Sequence, residues 1–260
     1  MIGCSYAEPY AGGAGLALRL LFGEYVDRIF INDYDRSIYA FWKVVVERSY
    51  EFCDWIEQVD VSVESWKYYK EIQDISHKAD LFDLAKSTFF LNRTNVSGVI
   101  KGGIIGGVDQ LGSYKIDARF RKDDLISRIL KIAKFKDRIY VTNYDGLDFV
   151  RRLSGDGKVG NLFVYLDPPY VNKGARLYMN YFSKFDHEEL AKLVAGLRFD
   201  WMVSYDCHEL IMELYKSYRR VVYKLSQNAS NRVGDEVLIF KDGIDFSESL
   251  SDLKVPILLD

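Results

Sequence analysis

Asp167-Pro168-Pro169-Tyr170 follows a short apolar run, Leu162 to Leu166, and is the stretch whose residue types best fit chemistry. The run reads as a buried strand. Proline has no N–H and a fixed φ, so the pair ends the strand in a rigid, extended corner. Asp167, preceding it, is pushed toward β or polyproline space. In an open α/β sheet such a corner lies at the carboxyl end of a strand, where ligands bind. The corner would offer a carboxylate, backbone carbonyls and a flat ring to one crevice. An exocyclic amine on a nucleobase is a poor nucleophile because its lone pair is delocalised into the ring. A carboxylate and a carbonyl accepting its two hydrogens would localise that pair and stabilise the charge that builds during attack. An aromatic face would hold the base by stacking. The same four residues also fit a strand ending in a Pro-Pro turn with a surface Tyr, and four residues alone are a weak motif.

The elements around this corner set the wider pattern. Cys4 to Glu8, then Ala11-Gly-Gly-Ala-Gly15 and Leu16 to Phe22, read as strand, glycine turn and helix. Glycines let a backbone approach a ligand closely, and a helix N-terminus offers N–H groups. Arg28 to Asn32 reads as a second strand ending at Asp33, about twenty residues past the turn. That acid suits the two hydroxyls of a ribose; the competing reading is a cap for the helix beginning at Arg36. Arg138 to Thr142, Leu162 to Leu166 and Trp201 to Tyr205 read as further strands, with Arg219–Leu225 and Glu236–Lys241 as an antiparallel pair. Asp186 is expected to cap a helix.

Asp167-Pro-Pro-Tyr170 together with Glu8-Pro-Tyr-Ala-Gly-Gly-Ala-Gly15 resembles the Dam-type adenine-specific DNA methyltransferases, and the likeness runs from about Tyr6 to Lys241 with its motifs in order. The resemblance implies an α/β, Rossmann-like fold with a mostly parallel seven-strand sheet. It implies S-adenosylmethionine as methyl donor and a flipped adenine in double-stranded DNA as acceptor. Glu8, Pro9, Tyr10, Gly12 and Gly13 would then hold the methionine part of the cofactor. Asp33 would take its ribose and Asp145 its adenine, leaving Asp148 as a helix cap. Asp167, Pro168, Pro169 and Tyr170 would be catalytic, with Asp167 also bordering the cofactor. His187 matches a structural His of the family. An inserted target-recognition subdomain is expected at 52–137, between catalytic segments 1–51 and 138–242, with 243–260 as a tail.

Within that insertion, Asn92, Arg93, Thr94 and Asn95 after a helix ending at Leu91 resemble the family's Asn-Arg loop and carry groups suited to base edges or phosphates. Lys101, Arg119, Arg121 and Lys122 are the further DNA contacts expected. From Tyr114 to Arg138 nine basic and four acidic residues give a local charge of +5 against −3 for the chain. That stretch fits a phosphate-facing surface, but charge alone favours a solvated helix face. The aromatics Trp55, Trp66, Tyr68 and Tyr69 read as core. A loop from Val171 to Phe182 is placed to close over the pocket, and Asn228 to Gly234, with Arg232, to touch the target strand.

At 260 residues, 48% hydrophobic and 28% charged, the chain has the composition of a globular α/β enzyme. Cys4, Cys53 and Cys207 are scattered and odd in number, as reduced thiols in a cytoplasmic protein would be. No metal, no membrane span and a monomer are expected. The family's Pro-Gly-Gly-Lys-containing stretch is missing upstream of Glu8. The expectation is therefore a cofactor site closed differently, or a truncated form acting as a DNA-binding module; methylation of an RNA base is the other alternative.

Overall fold

The computed structural model describes residues 3–155, 160–171, 182–227 and 232–259. Its eight strands form one mixed sheet in the order β3-β2-β1-β4-β5-β7-β6-β8. They are β1 Cys4–Glu8, β2 Val26–Asn32, β3 Ile139–Thr142, β4 Leu162–Leu166, β5 Asp200–Asp206, β6 Arg219–Gln227, β7 Arg232–Phe240 and β8 Ile257–Leu259. One more strand is present than the seven expected. Residues read as a tail supply it: β8 pairs antiparallel with β6, Arg220 opposite Leu259. Three residues at an edge carry too little pattern to be legible beforehand.

The chain divides into two compact units, 1–34 with 144–260, and 35–143. The second begins before the expected Phe52 because α2 (Arg36–Glu47) packs on α5 (Leu81–Thr94).

In the first unit β4 lies between β1 and β5, parallel to both, with Tyr6 opposite Phe163 and Val164 opposite Trp201. Leu162, Val164 and Leu166 are buried. A strand covered on both sides reads as a continuous apolar run, as this one does. β7 then runs antiparallel to both β5 and β6. The core joins these strands to α7 (Gly146–Gly155) through Phe149, Val150 and Leu153, and to α8 (Lys184–Ala195) through Leu190 and Val194. Each such side chain, fully buried, contributes roughly 1.5–3 kcal/mol. α8 is capped by Ser183, not by Asp186; Asp186 is the third helical residue and completes a capping box with Ser183. His187 is buried, with Nδ1 2.9 Å from the Tyr205 hydroxyl, in line with a structural role.

The second unit contains α2, α3 (Ser49–Gln58), α4 (Val63–Asp74), α5 and α6 (Lys122–Ala133). Asp35 caps α2, accepting from the Ser37 N–H at 2.8 Å. The aromatics form its core: Phe41 stacks on Phe89 at 5.8 Å, Tyr69 meets Phe90 at 4.6 Å, and Trp55 Nε1 donates to the Tyr69 hydroxyl at 2.8 Å. Tyr68 is the exception, 55% exposed. α6 buries Leu125, Ile129 and Ile132 at helical spacing and turns Arg128 outward.

Candidate active site

Strand order reverses between β1 and β4, because β1 leads outward to β2 while β4 leads the other way to β5. A crevice opens at the carboxyl ends of two such strands. Glu8 ends β1 there, and Asp167 follows β4. The Asp167 carboxylate adds to the burial that raises the Glu8 pKa.

Asp167 is reached from solvent, yet protein atoms crowd its carboxyl, and that burial raises its pKa. Hydrogen bonds from the Ser204 and Tyr170 hydroxyls work in the opposite direction. Ser204 Oγ donates to Asp167 Oδ1 at 2.8 Å. Pro168 and Pro169 are buried, and the Val171 N–H donates to Asp206 Oδ1 at 3.2 Å, so both ends of the corner are anchored to β5. The Tyr170 ring is half-buried, 6.4 Å from the Tyr205 ring. Of the expected lid, 172–181 lie outside the described residues, as do 228–231 of the other expected contact loop.

Glu8 is only 5% exposed. Its Oε1 accepts from the Tyr6 hydroxyl at 2.9 Å and from the Ala17 N–H at 3.0 Å, which ties β1 to α1 (Gly15–Phe22). Burial nevertheless pushes the carboxyl up to about 7, against these two bonds. A pKa raised above its unfolded value near 4.5 means that the fold favours the protonated acid. The associated stability is complete below pH 4.5 and lost as pH rises through 7. Glu8→Gln should therefore melt with a flatter pH dependence, gaining a few °C on the native chain between pH 5 and 8. About 1 kcal/mol moves the Tm of a chain this size by roughly 2–4 °C. Parallel melting curves across that range would exclude Glu8 as the titrating group.

The glycine turn between β1 and α1 is open on its outer side. Gly12 has φ +46°, and a Cβ placed on Gly12, Gly13 or Gly15 would meet no atom within 4 Å. Asp33 Oδ2 accepts from the Gly12 N–H at 2.9 Å, fixing the turn to the end of β2. Tyr10 leaves the turn and buries its ring against Phe182, 5.8 Å edge to face. The ring fills the place of a Cβ at Gly146, 2.3 Å from that position, so only glycine fits at the start of α7. Asp145 caps this helix: its Oδ1 accepts from the Leu147 N–H at 2.9 Å. Asp148 instead pairs with Arg151 at 2.8 Å, contrary to the expected cap.

Asn32 was not singled out from the sequence. It is fully buried, and its amide donates to the Pro9 and Tyr144 carbonyls at 2.9 Å while accepting from the Tyr144 N–H at 2.8 Å. One side chain thus holds three loops at the carboxyl edge together. An amide ending a strand just before an acid was the available signal.

In the second unit α5 continues to Thr94, so Asn92, Arg93 and Thr94 form its last turn instead of a loop. Thr94 is buried and bonds the Phe90 carbonyl. Asn95 is buried as well, accepting from Trp66 Nε1 at 2.6 Å and donating to the Val99 and Ile100 carbonyls. Both shape the turn from inside. Asn92 donates to the Gly98 carbonyl at 2.9 Å and Lys122 to the carbonyls of Glu57 and Val59, while Lys101 is exposed. Arg93 is half-buried beside Arg119, Arg121 and Arg128 around a cavity of about 330 Å³. Burial, and then the neighbouring Arg119 and Arg128, lower the Arg93 pKa. Arg121 pairs with Asp124 at 2.9 Å; among the described residues Arg93, Arg119 and Arg128 have no acidic partner. Arg128 was not among the expected contacts.

Among the described residues no helix is long and apolar enough to cross a membrane. The profile of the family described as D12 class N6 adenine-specific DNA methyltransferase matches residues 3–228. No curated protein matches the sequence. Solved structures are similar at low level, and three of them serve as examples. A conserved hypothetical protein of Streptococcus pyogenes shares 10% identity at TM-score 0.37, covering 94% of this chain and 91% of its own. A candidate methylase of Haemophilus influenzae shares 10% at 0.36, covering 92% and 87%. An rRNA methyltransferase of Streptomyces viridochromogenes shares 11% at 0.31, covering 92% and 76%. At such TM-scores none of the three informs the substrate.

Proposed function

We propose, from the premise that this chain belongs to the D12 class N6 adenine-specific DNA methyltransferase family, that it methylates the exocyclic amine of a flipped adenine in duplex DNA. The observation that carries this reading is the meeting of Glu8 and the Asp167-Pro-Pro-Tyr170 corner at the reversal of strand order.

S-adenosylmethionine, the methyl donor the family implies, supplies an electrophilic sulfonium methyl when bound. The open glycine turn fits it: no side chain fills the space beside Gly12, Gly13 and Gly15, and acids stand at the ends of β1 and β2. Glu8, Pro9, Tyr10, Gly12 and Gly13 would hold its methionine part and Asp33 its ribose. Asp145, engaged at α7 through Oδ1, would reach its adenine through Oδ2.

Tyr170 offers a ring face for the flipped base. Asp167 and the Pro168 carbonyl accept the two amine hydrogens, so the nitrogen lone pair is directed at the methyl and the developing positive charge is stabilised. The ionised form of Asp167 is the accepting one, and the bonds from Ser204 and Tyr170 sustain it against burial. The 35–143 unit would act as the DNA-recognition unit. Arg93, Arg119 and Arg128, which have no acidic partner among the described residues, offer a site for backbone phosphates, with Asn92, Arg121 and Lys101 as secondary contacts, Thr94 and Asn95 supporting the turn and Lys122 tying α6 to the end of α3.

Calorimetric titration with S-adenosylmethionine, followed by a sequencing-based assay of methylated adenine in duplex DNA and in RNA, tests the reading. Donor binding and transfer to DNA are expected. Transfer confined to RNA would overturn the acceptor, and DNA binding without donor binding would leave a DNA-binding module.

A further inference from the structure

We propose that Ser204, itself held by Tyr165, is a positioning residue that fixes the Asp167 carboxylate for the target amine, an inference that rests on the adenine-methylation reading. Leu166 lies opposite Val203 in the parallel pair of β4 and β5, which brings Ser204 beside Asp167 one residue on. Ser204 is 2% exposed. Its Oγ is 2.8 Å from Asp167 Oδ1, 3.5 Å from the Leu166 carbonyl and 2.9 Å from the Tyr165 hydroxyl.

A serine hydroxyl has one hydrogen. The carboxylate is both the nearer and the stronger acceptor, so that hydrogen goes to Asp167. Tyr165 must then donate into Ser204. The chain runs in one direction, Tyr165 to Ser204 to Asp167, and each bond polarises the next. Its effect is to occupy Oδ1 and stop the carboxylate rotating, so that Oδ2 faces the crevice. Tyr170 also bonds this carboxylate, but it belongs to the corner that would engage the base. Ser204 belongs to the sheet and is the partner that stays in place. A carboxylate that must accept an amine hydrogen in one orientation gains from such a fixed donor.

Other titratable groups feel the charge of the same carboxylate. Tyr6 and Glu8 come from β1, Tyr170 from the corner, Tyr205 from β5, and Tyr223 from β6 with its partner Glu236 on β7. Glu8, raised to about 7, is the other carboxyl at this crevice that burial pushes up. The test must therefore observe Asp167 itself.

Carboxyl-carbon NMR of the intact chain, with the Asp167 signal assigned by its loss in Asp167→Asn, gives that reading. In Ser204→Ala the Asp167 midpoint should move to higher pH, because a bond favouring the ionised form is gone. Single-turnover methyl transfer to duplex DNA should fall about 10- to 100-fold, the scale seen when a group that orients a reacting ligand is removed. The acid limb of the rate profile should move to higher pH with it, while donor affinity is unchanged. Ser204→Thr, which keeps the hydroxyl, should restore both; Tyr165→Phe should shift both in the Ala direction by less. An unchanged Asp167 midpoint in Ser204→Ala would overturn the proposal. So would a Ser204→Thr variant that melts like the native chain yet rescues neither reading, since Ser204 would then matter for packing alone. A native chain that transfers no methyl to DNA would sink the parent reading, while the carboxyl titration would still decide this one.

Discussion

Asp167→Ala is expected to reduce methyl transfer by about 10²- to 10⁴-fold, the range for a removed proton acceptor or charge-stabilising group at a reacting centre. The variant should bind S-adenosylmethionine and keep its melting temperature. The fold tolerates the loss because the carboxyl is already disfavoured where it sits: protein atoms crowd it and raise its pKa. Ser204, deprived of its acceptor, still has the Leu166 carbonyl at 3.5 Å and the Tyr165 hydroxyl at 2.9 Å. Asp167→Asn should fall between the two, since one acceptor oxygen remains but an amide hydrogen can face the amine. Rapid single-turnover assays with saturating donor separate chemistry from binding. Full activity in Asp167→Ala would remove the carboxylate from the mechanism, and with it the chemical reading of the corner.

The double variant Arg93→Ala with Arg119→Ala is expected to weaken binding to duplex DNA about 10- to 100-fold near physiological salt, with the slope of log affinity against log salt reduced by about 2. Arg93 is half-buried next to two other guanidinium groups, and none of Arg93, Arg119 and Arg128 has an acidic partner among the described residues. A phosphate entering the cavity of about 330 Å³ would relieve that repulsion. Because a phosphate carries no base identity, the loss should be uniform across DNA sequences. Affinity for S-adenosylmethionine should not change. A loss confined to one base position would mean that these arginines read a base edge. An unchanged salt slope would mean that they face something other than the backbone.

The residues at the strand ends were legible because their signals are local. Leu162 to Leu166 is apolar throughout, two prolines stop it, and Tyr170 follows within the same turn. The glycine turn, Asp33 and the α1 helix are equally short-range patterns. The aromatic core of the second unit was likewise legible from its residue types, Tyr68 excepted. Local signals can also mislead: Ser183-Lys-Phe-Asp186 is a capping box in plain sequence, and within it the serine, not the acid, is the cap. Asn92 to Thr94 extended α5 because Thr94 buries its methyl and returns its hydroxyl to the Phe90 carbonyl, a preference that composition does not show.

By itself the sequence determined the alternation of strand, turn and helix, the family, and the identity of the acid, prolines and tyrosine at the corner. Each rests on short motifs whose own residues lie within a few positions of one another, the family on two such motifs in order. Only the tertiary structure decided which groups hold them. Ser204 meets Asp167 across 37 positions, and Asn32 meets Tyr144 across 112. Such pairs are made by strand register and loop packing, and a side chain's hydrogen-bond partner has no periodicity for a sequence to display. The same holds for Arg128, which joins Arg93 and Arg119 only because α5 and α6 fold into one unit.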